Sequence, residues 1–245
     1  MSVTTSELPW SIRKERRFFA GLMVALALLV FAGFARTFYL HKLFHLPAPS
    51  VLLVVHGTLM SGWIFLLVVQ SALISARRVD WHQKLGIAGA VLAAVIIPFG
   101  CLATIGVAQR EVRAHSSFVS SQLNVLGLEL TQLLLFAVFI GIALGYRKRP
   151  STHKRLMIVA TLCIVPNAFV RLSLLTNIDF LSKNIGIVSV WALFVVCFVA
   201  IDSLRRRRIS PAFGWGASIS IAALYTAWWI STTVAWNEYW VRALA

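Results

Sequence analysis

Long apolar runs separated by short basic turns constrain this chain more than any other feature. A helix needs about 20 apolar residues to cross a hydrocarbon core of about 30 Å, and backbone at that depth must satisfy its own hydrogen bonds. Seven stretches reach that length: 18–40, 49–76, 84–108, 120–146, 155–175, 184–204 and 212–235. With 59% hydrophobic and 13% charged residues, little is left to build anything else. The expectation is an all-α, seven-helix transmembrane bundle, with residues 1–245 forming one domain. The first stretch is too long for a signal-peptide core and lacks a small-residue cleavage site after it, so it reads as a retained anchor.

The charges give the orientation. Sixteen of the 23 Lys and Arg residues fall on one side of this alternation: Arg13 to Arg17, Arg77 to Lys84, Arg147 to Arg155 and Arg205 to Arg208. Cytoplasmic loops keep such an excess, so the N-terminus is expected inside and the C-terminus outside, in a bacterial inner membrane. The net charge of +15 lies in short turns and not on a docking surface, which argues against nucleic acid and for topology and contact with the lipid bilayer.

Two of these basic turns are near copies. RRVDWHQKLGI and KRPSTHKRLMI each place a histidine, His82 or His153, four residues after an arginine, Arg78 or Arg149. Asp80 and Ser151, or Thr152, are the expected helix caps. Aligning the histidines superposes the second and third stretches on the fourth and fifth, a parallel repeat of two hairpins that would form the core. Such a repeat carries equivalent side chains to equal depth, which is how bundles supply paired axial ligands to a haem or two imidazoles to a metal. Basic turns are also what topology alone requires, so the histidines are equally readable as solvated loop residues.

Ionisable groups within the apolar stretches are costly and therefore informative. His56 lies about seven residues into the second stretch, hence about 10 Å deep. Glu129 with Gln132 at i+3, and Arg171 with Asn167 at i−4, bring further polar groups into the outer half of the bundle. Gln70 lies fourteen residues beyond His56 on the same helix face. Together these suggest an outer cluster. It reads either as a buried Glu129–Arg171 pair that fixes packing, with His56 hydrogen-bonded nearby, or as a site where Arg171 binds an anion such as a haem propionate, a quinone carbonyl or a substrate carboxylate.

Other chemistry finds little support. His41 and His45 have HxxxH spacing, but the following LPAP suggests a turn and no acidic ligand is near, so no metal is assigned there. Cys101, Cys163 and Cys197 each stand alone in apolar sequence and read as packing residues. No GxSxG elbow, Walker A loop or GxGxxG fingerprint is present.

The run HGTLMSGWIFLLVVQSALISARRVDWHQKLGIAGA, with THKRLMIVATLCIVPNAFVRL later, resembles a bacterial family of uncharacterised multipass inner-membrane proteins. A more distant likeness is to small four-helix membrane proteins implicated in cytochrome oxidase assembly. Those too pair an intramembrane histidine with a second at the start of the next helix, and have an HKR turn leading to a helix with a buried arginine. The corresponding positions are His56, His82, His153 and Arg171. Here the hairpins come in the opposite order, and the first, sixth and seventh stretches are additional.

The functional expectation is a haem- or metal-binding membrane protein, with haem b as the cofactor, a redox or respiratory-assembly role, and respiratory-chain membrane proteins as partners. His82 and His153 would be the inner ligand pair, with His56 and Arg171 at an outer site. The alternative is a transporter or small-molecule permease with its polar site in the outer half, favoured by Pro98 and Pro166 at similar places in the two hairpins. A third class, an intramembrane enzyme with Glu129 as acid, rests on one carboxylate. Substrate and oligomeric state are not written in the sequence.

Overall fold

The computed structural model describes residues 10–173 and 184–245. Among them every regular element is helical. Helix α1 (Trp10–Phe34) runs into a π-helical turn (Ala35–Tyr39). Next come α2 (Val51–Ser75), α3 (Val79–Arg113), α4 (Val119–Gly145), α5 (Pro150–Ile164) and α6 (Pro166–Ser173). Helices α7 (Asn184–Arg206), α8 (Pro211–Ser231) and α9 (Val234–Leu244) complete the chain.

Among the described residues six spans are long and apolar enough to cross a membrane: α1 with its π turn, α2, α3, α4, α5 together with α6, and α7. The protein is therefore a multi-pass membrane protein whose outer surface meets lipid. The seventh stretch forms α8, but Trp215, Tyr225, Trp228, Trp229, Ser218 and Ser220 keep it below the hydropathy of the other six.

Boundaries differ from expectation for identifiable reasons. Helix α3 is 35 residues long, about 52 Å at 1.5 Å per residue, because Arg110, Glu111 and Arg113 end the apolar run without ending the helix. Its far end packs on α9, where Ala108, Val112, Leu123, Leu126 and Leu244 form a second small core with Trp236 and Trp240. The tail thus folds as an amphipathic helix capped by Thr233, with the Trp236 indole donating to the Leu123 carbonyl at 2.9 Å. The caps of the twin turns are also shifted. Arg78 and Arg149, not Asp80 and Ser151, hold the N-cap positions, and neither side chain makes a cap bond. Residues 174–175 of the fifth stretch lie outside the described residues.

Helix α4 sits centrally, packed against α3, α5 and α8, while α2 packs on α3 and α1. Hydrophobic burial drives association weakly when the alternative solvent is lipid, so close packing and hydrogen bonds carry the specificity. Trp63 of α2 does both. Its ring stands edge-on to Phe136 of α4 at 5.0 Å, and its indole donates to Thr161 of α5 at 3.2 Å.

The fifth stretch is broken where proline forces it. Pro166 has no N–H to continue the ladder, so Val165 bonds back to Leu162 and Ala168 to Val165 in tighter turns. The Leu162 carbonyl also accepts the indole of the fully buried Trp191 at 2.7 Å. Pro98, at a similar place in α3, sits inside an uninterrupted helix.

Candidate functional site

The twin turns deliver the two histidines to one place. In both, the histidine occupies the fourth helical position, and its backbone N–H donates to the carbonyl of the N-cap arginine: His82 to Arg78 at 3.0 Å, His153 to Arg149 at 2.9 Å. The imidazole centres are 6.4 Å apart with planes at 83°. Both rings are half-buried at the basic face of the bundle.

Their tautomers and partners differ. His153 Nδ1 is 2.8 Å from the Ala143 carbonyl, which can only accept, so Nδ1 carries the proton and Nε2 keeps its lone pair. That carbonyl lies in the last turn of α4, where Arg147 N–H bonds instead to Leu144, so the histidine caps an otherwise orphaned acceptor. His82 Nδ1 is buried without a partner, and so is Oε1 of Gln70. Gln70 faces this site, not His56. Its amide lies beside Gly86, one turn after His82, and its backbone carbonyl faces the His82 ring.

A charged network next to the pair holds α5 in position. Arg155 is 0% exposed and donates to Asp202 through Nε at 2.8 Å and Nη2 at 2.6 Å. Its Nη1 donates to the backbone and side-chain oxygens of Ser151, both at 2.8 Å. Lys154 pairs with Glu15 of α1, whose carboxylate lies 3.8 Å from Arg155, and its ammonium stands 4.2 Å over the Phe19 ring. From the sequence Arg155 reads as one more charge of a basic turn, and Asp202 is not among the expected site residues. The available signal was an aspartate inside the apolar run VVCFVAIDSL, one of only eight acidic residues in the chain.

The outer cluster forms in part. Glu129 accepts a 2.6 Å bond from Thr104 of α3. With Gln132, Pro166 and Asn167 it lines a small cavity of about 20 Å³ between α4, the break before α6, and α7. Gln132 is 4% exposed and its Oε1 has no hydrogen-bond partner. Arg171 is exposed, with its guanidinium 5.9 Å from the Phe34 ring, within electrostatic reach of Glu129. Among the described residues no ion pair joins the two: Thr104 donates to one carboxylate oxygen, and the guanidinium lies by the Phe34 ring. His56 does not line the cavity; it is half-buried on α2 beside Gly57, which packs against Phe38, and its Nδ1 has no partner.

The remaining histidines are held by turns. His41 Nδ1 bonds the Phe38 carbonyl at 2.9 Å, and His45 and His115 take left-handed backbone with φ of 52° and 48°. Among the described residues no group of three or more His, Cys, Asp or Glu is arranged to hold a metal ion. Comparison with protein-family models, curated proteins and solved structures finds no match.

Proposed function

We propose that this is a haem-binding protein of the bacterial inner membrane, with His82 and His153 as paired axial ligands at its cytoplasmic face and a redox or respiratory-assembly role. The observation that carries the reading is the 6.4 Å separation of the two ring centres. At that separation one metal atom with metal–imidazole bonds of about 2.0–2.1 Å would be within reach of both rings.

The donor set favours haem over a bare ion. A protein-bound transition metal wants three or four side-chain ligands, and no such group occurs among the described residues. Haem supplies its own four nitrogens and asks the protein for one or two axial ligands. His153 is prepared for that task, since the Ala143 carbonyl fixes its tautomer and orients Nε2. Arg78 and Arg149, exposed four residues before each histidine, suit the two propionates. Haem bound there would supply one-electron chemistry, and the chain's part is to ligate it, orient it and neutralise its carboxylates. The excess of Lys and Arg in the turns favours the cytoplasmic side for this end of the bundle, with α8 as the seventh span.

The test is the visible spectrum of detergent-purified protein from haem-replete cells, oxidised and dithionite-reduced. A Soret band in the wild type that is lost in His82→Ala and in His153→Ala is expected. A wild type without the band overturns the haem reading, and retention in both variants moves the ligand to His56.

A second reading is a small-solute permease, favoured by the helix break at Pro166 beside the polar cavity. Interrupted helices at mid-membrane are where transporters bind their cargo. Uptake by proteoliposomes that is lost in Glu129→Gln is its expected signature.

A further inference from the structure

We infer that the Glu129 cavity binds a single dehydrated monovalent cation of sodium size. Along α4, Glu129 is fourteen residues from Ala143, which bonds His153, so the two sites are separated by about 21 Å. The cavity is therefore independent of the histidine pair. It deepens the permease reading by naming a coupling ion, and it stands on its own as an equilibrium binding site.

Charge comes first. A carboxylate within a membrane span must be compensated. Glu129 has one hydrogen bond, from Thr104, and no cation within ion-pair distance among the described residues. Arg171 is exposed and turned to Phe34. Ionised, Glu129 would place one unit of negative charge beside the cavity for a small cation to balance.

The neutral donors come next. Gln132 is buried to all but 4%, lines the same cavity, and has a carbonyl-type oxygen without a partner. An amide oxygen left bare at that depth costs about 1–3 kcal/mol unless something binds it. Asn167 offers a second amide oxygen. The helix break lies beside them, because Pro166 and Asn167 both line the cavity and Ala168 N–H bonds Val165 at 2.8 Å instead of continuing the regular ladder. Such ends of half-helices, where carbonyls point out of the ladder, are where membrane proteins coordinate Na⁺. A carboxylate and two amide oxygens form an all-oxygen set suited to a hard cation.

Size decides between a bare and a hydrated ion. About 20 Å³ accommodates about one water-sized guest, which matches an ion stripped of most of its water.

The experiment is a thermal melt of the purified protein in NaCl, KCl and choline chloride at equal ionic strength. The expected result is a melting temperature that rises with the logarithm of Na⁺ concentration, more than with K⁺ and not with choline. That slope is lost in Glu129→Gln and reduced in Gln132→Leu. Equal melting temperatures in the three salts overturn the site, as does a sodium slope that survives in Glu129→Gln. Should Glu129→Gln fail to fold, equilibrium ²²Na⁺ binding to the wild type decides: saturable binding competed by unlabelled Na⁺ supports the site, and its absence overturns it. A sodium shift without solute uptake by proteoliposomes keeps the site and removes the permease; uptake without a shift does the reverse.

Discussion

Arg155 stands two residues after His153, and Asp202 of α7 grips its guanidinium through bonds of 2.8 and 2.6 Å. The same guanidinium bonds Ser151, two residues before the histidine, at 2.8 Å. His153 thus sits on a helical turn braced by a fully buried charge that makes four hydrogen bonds, two to Asp202 of α7 and two to Ser151. The ligand pair owes its geometry to this network as much as to the turn that carries it.

Breaking one side of that pair strands the other in a buried place. Arg155→Met or Asp202→Leu alone is expected to cost about 3–5 kcal/mol, while the double substitution costs much less because no uncompensated charge remains. Thermal unfolding of the three variants in one detergent checks this. A double variant as unstable as the sum of the singles would contradict it.

Much of this fold could be read from the residues, and its failures have physical causes. The long apolar runs give six spans because helix formation in lipid is obligatory. The twin turns bring His82 and His153 together because identical spacing from each N-cap arginine gives identical phase on two adjacent helices. Asp202 was hidden because hydropathy averages over a single charge, and its partner Arg155 looks like any other basic turn residue. Helix α9 was hidden because 11 residues are too few to register as a span, yet enough to cover the exposed end of α3. The Glu129–Arg171 pair is not formed among the described residues, because Arg171 is exposed with its guanidinium by the Phe34 ring while Glu129 accepts from Thr104 of α3.

The two histidines contribute unequally to stability. His153→Ala removes the donor that caps the Ala143 carbonyl at the end of α4, whereas His82→Ala removes an Nδ1 that has no partner. A loss of about 1–2 kcal/mol is expected for His153→Ala and less for His82→Ala. Melting curves recorded alongside the spectra separate this from ligand loss, which both substitutions cause. Equal destabilisation by the two would show that the Ala143 bond carries no weight.

Trp191 stitches the broken fifth stretch to α7. Trp191→Phe retains an aromatic ring in a site with 0% exposure but leaves the Leu162 carbonyl only the 3.3 Å contact from Val165. About 1–3 kcal/mol should be lost, with faster backbone hydrogen exchange around residues 162–168. Unchanged exchange there would mean that the break is held by packing alone.

Close approach of α1 to α6 rests on Gly33. A Cβ there would fall 2.7 Å from the Ala168 carbonyl oxygen and 2.9 Å from its Cα, both backbone atoms that cannot rotate away. Gly33→Ala should therefore push α6 outward and cost about 1–3 kcal/mol, even though alanine is the better helix former. Gly141→Ala is the matched control: its Cβ would meet nothing within 4 Å, so the same substitution gains helix propensity without a clash. Because Asn167 precedes Ala168 on α6, the Gly33 variant should also flatten the sodium dependence of the melting temperature while the Gly141 variant keeps it. Loss of that dependence in both, or in neither, would disconnect the α1–α6 contact from the Glu129 cavity.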